Sequence, residues 1–166
     1  MIVADSSPLI VLGKVGKLEL LRRCFKCIVI PKGVYEEITK KKGSPEVIAL
    51  EQACKEGWVS VEKTAINTML DTQNISKGEK EAISLAIKYK SIVILDDDSA
   101  KQYAAVLGVE SHGTLYVLYV CCAKKILNKK DAIKVLDEMM HNGFYISHDI
   151  YLRFVELLDS IQNKKL

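Results

Sequence analysis

Residues 92–98 read Ile92-Val93-Ile94-Leu95-Asp96-Asp97-Asp98, an apolar run ending on three consecutive carboxylates. A strand with one wet face alternates apolar and polar residues. Ile92–Leu95 does not alternate, so it predicts a strand buried on both faces, as in a parallel sheet covered by helices. Near the N-terminus Ile2-Val3-Ala4 stops at Asp5 in the same way. Three further short strands are expected: Cys27–Ile30, β-branched and bounded by Pro31; Trp58–Val61, a strand or extended piece; and Val109–Ser111.

Helical stretches separate them. Ser7-Pro8 predicts a helix onset, with Ser7 as N-cap and Pro8 at the first helical position. Gly13 and Gly16 are expected to break that helix, and Leu18–Cys24 forms the next. Others run from Pro31 to Lys41, Pro45 to Glu56, Ser76 to Lys90, Ala100 to Leu107 and Thr114 to Lys125. Asn128–His141 and Ser147–Ile161 close the chain, with caps at Asn128 and Ser147. Residues 65–75 read as a loop with a helical turn, and the tail Asn163–Leu166 is expected to fray. Strands alternating with helices give an α/β class: a three-layer α/β/α sandwich around a mostly parallel sheet of four or five short strands.

The 166 residues suit a single domain spanning 1–166, with the helices of about 128–162 either part of it or an interaction extension. Hydrophobic residues make up 49% and charged residues 27%, which excludes a disordered chain. A net charge of +3 announces no nucleic-acid partner by itself, so the local pattern has to carry that argument. No run approaches the roughly 20 apolar residues of a membrane span, and no leader-like stretch opens the chain. The expectation is a cytoplasmic protein without membrane association. Five cysteines is an odd count, and Cys24 and Cys27 form a lone CxxC without the second half of a zinc site. Reduced thiols are expected.

Working sites of open parallel sheets lie at the carboxyl ends of the strands. Asp5 and the 96–98 run stand there, Glu36 and Glu37 lie on the helix opened by Pro31, and Glu79 and Glu81 start the Ser76 helix. Each has an ordinary role as well: Ser76-x-x-Glu79 is a capping box, Glu36 and Glu37 can pair with Lys40 and Lys41, and the aspartates can cap helices. Several carboxylates held together stay ionised only if a cation compensates them. Oxygen donors without clustered His or Cys select Mg²⁺ or Mn²⁺.

Four segments, in order, carry a resemblance. They are Ile2-Val3-Ala4-Asp5-Ser6-Ser7-Pro8-Leu9, the run Ile30–Ile38 (Ile-Pro-Lys-Gly-Val-Tyr-Glu-Glu-Ile), Gly78–Ala86 (Gly-Glu-Lys-Glu-Ala-Ile-Ser-Leu-Ala) and Leu95–Lys101 (Leu-Asp-Asp-Asp-Ser-Ala-Lys). With His112-Gly113-Thr114-Leu115, this set resembles the PIN-domain family, more narrowly the DUF3368 group of VapC-like proteins. The resemblance covers nearly the whole chain. It implies a divalent-metal-dependent endoribonuclease that hydrolyses RNA by metal-activated water, with Mg²⁺ or Mn²⁺ held by Asp5, Glu37, Glu79 and Asp97. Asp98, Glu81 and Ser6 are further candidates, Asp98 standing where the group often has a basic residue. RNA contacts are expected from Lys101, Lys14 and Lys41, with Lys17, Lys40 and Lys42 as further basic residues. It also implies the toxin of a toxin–antitoxin pair, hence an antitoxin partner, and a homodimer is a second candidate assembly.

Two rival readings remain open on the residues. One is a catalytically degenerate PIN-like interaction module with solvated acids. The other is an acidic-pocket phosphatase or receiver-like domain. A dehalogenase-like enzyme would carry Asp-x-Asp after the first strand, where Asp5-Ser6-Ser7 lacks the second acid, and a receiver would place its acid pair there.

Overall fold

The computed structural model describes residues 1–163. The sheet has five strands: β1 (Ile2–Ala4), β2 (Ile28–Pro31), β3 (Val59–Glu62), β4 (Val93–Ile94) and β5 (Ser111–His112). All pairings are parallel and the order is β3-β2-β1-β4-β5. Between β1 and β3 lie α1 (Ser6–Lys14), α2 (Glu19–Phe25), α3 (Lys32–Thr39) and α4 (Pro45–Lys55). A 3-10 turn at Thr68–Leu70 precedes α5 (Lys77–Tyr89), and α6 (Asp98–Val106) follows β4. After β5 come α7 (Thr114–Ala123), α8 (Lys129–His141) and α9 (His148–Asn163). The tail expected to fray lies outside the described residues apart from Asn163, which closes α9.

The inner strands β1, β2 and β4 hold no polar face because both faces are covered, whereas the edge strands β3 and β5 carry polar residues. Ile2, Ala4, Ile28, Ile30 and Ile94 pack in a large core with α1, α2, α3, α4, α7, α8 and α9. The alternate residues Val3, Val29, Val93 and Leu95 pack on the other side against α5 and α6. This is the three-layer sandwich, with a sheet that is wholly rather than mostly parallel. Among the described residues no helix is long and apolar enough to cross a membrane.

Two local expectations change. α1 begins at Ser6, with Asp5 rather than Ser7 in the extended N-cap position (φ −83, ψ 179). Pro8 still fits, because a first-turn residue has no intrahelical use for its N–H. Gly13 lies inside α1 instead of breaking it. Its missing side chain sets the α1–α4 contact: a Cβ there would stand 2.7 Å from the Glu46 Cα. Gly13→Ala is therefore expected to force the helices apart and cost about 1–3 kcal/mol, read as a lowered urea midpoint. The Cys24 thiol meets Cys121 across the α2–α7 contact, Sγ–Sγ 2.7 Å, while Cys27 is exposed. The CxxC is not a structural unit.

Candidate active site

From β1 the chain winds one way, to β2 and β3; β4 and β5 lie on the other side of β1. The crevice outside the carboxyl ends of β1 and β4 is therefore the switch point of the sheet, where open α/β folds take their ligands. Asp5 lies at the end of β1, its backbone N–H donating to Ile94 O at 2.9 Å. Leu95 extends β4 by one bond, donating its N–H to His112 O at 2.8 Å, and Asp96 follows.

Asp5 is only 4% exposed. The Ser6 backbone N–H lies where it favours the ionised form, but among the described residues nothing donates to the buried Asp5 Oδ1. Burial pushes its pKa up to about 7; the Ser6 N–H opposes this, and the nearby carboxylates of Glu79, Glu37 and Asp96 add to it. Those three causes name the cluster. A buried oxygen with no donor costs free energy, and here the oxygen belongs to an acid surrounded by acids.

Each neighbour is held by its own element. Glu37 on α3 accepts the Ser6 hydroxyl through Oε1 at 3.3 Å. Gly78, at the start of α5, gives it room: a Cβ there would lie 3.4 Å from both Asp5 Oδ1 and Glu37 Oε2. Glu36, the neighbouring acid, is exposed and pairs with Lys32 at 3.1 Å. Glu79 completes a capping box with Ser76, its Oε2 accepting the Ser76 N–H at 2.6 Å while its own N–H donates to Ser76 Oγ at 3.1 Å. The structural role and the place in the cluster coexist in one side chain.

Glu81 turns away from Asp5. Its Oε2 accepts the Gly33 N–H at 3.0 Å, and Lys77 lies 3.7 Å from Oε1. A carboxylate at the first turn of α3 meets the positive end of the helix dipole, so Glu81 ties the helix of Glu37 to that of Glu79. Glu81→Ala is expected to destabilise by about 1–3 kcal/mol and to weaken any activity needing Glu37, with Glu81→Gln restoring most of both. Thermal melts and activity assays on the two variants check this.

The acid of the 96–98 run that joins the cluster is Asp96. Its Oδ1 accepts the Thr114 N–H at 2.7 Å and its Oδ2 the Thr114 hydroxyl at 2.6 Å. Gly113 leaves space for this, since a Cβ would lie 2.9 Å from Asp96 Oδ1. Asp97 instead caps α6, its Oδ1 accepting the Ala100 N–H at 2.8 Å. Asp98 is exposed and pairs with Lys101 at 3.0 Å. Lys101 Nζ lies 3.8 Å from that same Gly113 Cβ position, so it stands beside Asp96. Lys14 ends α1, exposed, and Lys41 lies beyond the C-terminal end of α3. Asp96, Thr114 and Gly78 are the site residues that sequence reasoning did not single out. A signal for Thr114 existed: Gly113-Thr114 opens a helix right after a strand, which aims backbone N–H groups at a strand-end acid.

A family model described as PIN domain, DUF3368, matches residues 1–160. The chain belongs to the PIN-domain family. PIN domains are typically nucleases and generally use divalent metal ions. Among solved structures, a PilT N-terminus domain protein from the hyperthermophilic archaeon Sulfolobus solfataricus is similar. It shares 20% identity at a TM-score of 0.48, over 69% of this chain and 87% of that one. No curated protein matches.

In this PIN domain, no three His, Cys, Asp or Glu side chains among the described residues already form a grip for a metal ion. Ser6, Ser76 and Thr114 each hold one of the carboxylates, Glu37, Glu79 and Asp96 in turn. The donor set nevertheless fits a hard divalent cation. It is all oxygen, and Asp5 Oδ1 is a buried oxygen still lacking a partner.

Proposed function

We propose that this PIN domain is a Mg²⁺- or Mn²⁺-dependent endoribonuclease, the cytoplasmic VapC-like toxin of a toxin–antitoxin pair. The carrying observation is the orphaned Asp5 Oδ1 at the switch point, with Glu37, Glu79 and Asp96 around it. These four residues would hold the cation, with Asp96 taking the place that the resemblance assigned to Asp97. The ion would activate a water and offset charge on the phosphodiester. Ser6 orients Glu37, and Thr114 holds Asp96. Lys101, beside Asp96, and Lys14, at the end of α1, supply cations for the RNA backbone, with Lys41 beyond the end of α3 as a third. The toxin and its antitoxin partner rest on the family resemblance. Apolar side chains left open on α9, Ile150, Leu152 and Leu157, each more than two-fifths exposed, suit such a partner or a second copy.

The test is cleavage of single-stranded RNA by the wild-type chain with Mn²⁺, with Mg²⁺ and with EDTA. Metal-dependent internal cleavage is expected. A wild type that neither cleaves nor gains thermal stability with Mn²⁺ would favour the interaction module instead.

A further inference from the structure

A cavity of about 300 Å³ opens directly beside Asp96, between α1 and the loop joining α8 to α9. Ile10 and Phe144 line it with apolar surface, and Lys14 and Asn142 supply polar groups. Tyr145 stands on its rim with 90% of its surface exposed. The loop is built to present these rings. Gly143 adopts φ +93, a left-handed turn that side chains rarely allow, and the Phe144 N–H is tied to Met139 O at 3.0 Å. Phe144 is thereby pinned half-buried, and Tyr145 projects outward.

The volume is at the lower end of ligand pockets and exceeds what a lone phosphate or metal ion needs. An apolar wall, a free aromatic face and a cation are the parts that take an unpaired nucleobase and its phosphate. Asp96 is a wall of both this cavity and the acid cluster, so a base here would be joined to a phosphate at the acids.

We propose that this cavity is a nucleobase subsite that takes one unpaired base of single-stranded RNA, next to the phosphate presented to the acids. Tyr145 stacks on the base and Lys14 meets the adjoining phosphate. The proposal rests on the nuclease reading for its substrate, but the test separates the two. Duplex RNA is excluded from the subsite because its bases are already paired and stacked.

Full-length Asp5→Asn protein, in EDTA, is titrated into a fluorescein-labelled single-stranded RNA oligonucleotide and followed by anisotropy. Adding Tyr145→Ala is expected to weaken binding about tenfold, and Tyr145→Phe to stay within about twofold. Tyr145 is too exposed for its truncation to unsettle the fold. Lys14→Gln is expected to reduce the salt slope of log K by about 1. Equal affinity with and without the Tyr145 ring overturns the proposal, as does a parent protein that binds no single-stranded RNA. If Tyr145-dependent binding is found but the wild type cleaves nothing, the subsite stands and the nuclease reading falls. Metal-dependent cleavage with no effect of Tyr145→Ala on binding has the opposite meaning.

Discussion

Asp5→Asn is expected to abolish RNA cleavage and yet to make the metal-free protein more stable at pH 8. The two effects have one cause. Asp5 has its pKa raised from 3.8 to about 7, chiefly by burial and further by the carboxylates of Glu79, Glu37 and Asp96. Between those pH values the folded chain keeps a proton that the unfolded chain has lost. Stability therefore falls as pH rises through this window, and the loss is complete above about pH 7. A shift of that size corresponds to at most about 4 kcal/mol. Asparagine cannot ionise, so the variant escapes this loss, and its amide can donate to a neighbouring carboxylate. Urea unfolding in EDTA at pH 5 and pH 8 checks it: the wild type should weaken at the higher pH and Asp5→Asn should change far less. A wild type equally stable at both would remove the argument. With Mn²⁺ present the gap should narrow at pH 8, because only the wild type offers an ionised oxygen at position 5, and cation bound at a hundred times its Kd adds about 2.7 kcal/mol.

Asp96→Asn and Asp97→Asn are expected to part company. The family resemblance favours Asp97, whereas the fold turns Asp96 toward Asp5 and gives Asp97 to the α6 cap. Asp96→Asn should lower cleavage by more than about 100-fold, taking loss of a donor to a catalytic cation as at least as costly as loss of its outer support. The protein should stay folded, since an asparagine oxygen still accepts the Thr114 N–H. Asp97→Asn should leave cleavage near the wild-type rate with little change in melting, because asparagine caps as well as aspartate, and Asp97→Ala should cost about 0.5–2 kcal/mol through the lost cap. Single-turnover cleavage and thermal melts on the three variants decide it. A collapse of activity in Asp97→Asn with Asp96→Asn unaffected would return the site to the other aspartate.

The α/β class, the strand runs and most helices were legible because they depend on local pattern. Ile92–Leu95 has no polar face, Ser76-Lys77-Gly78-Glu79 spells its own capping box, and Pro31 and Pro45 mark where elements change. Asp5 was legible for the same reason, as the residue where an apolar strand stops. What pattern could not decide was direction. Whether Asp96 or Asp97 faces Asp5 depends on where β4 ends and where α6 begins, and on Thr114, which is 18 residues away and donates to Asp96. Glu79 and Glu81 differ by two positions on one helix, but only the approach of α3 shows that Glu81 is taken by Gly33. Gly13 looked like a helix breaker because its reason, the Glu46 backbone, belongs to a different helix. The sequence by itself determined the elements and the set of acids, since hydrophobic period and capping act within a few residues. Only the tertiary structure decided which oxygens meet, because a carboxylate's partner is set by the packing of distant elements, and repulsion between like charges exists only once those elements are brought together.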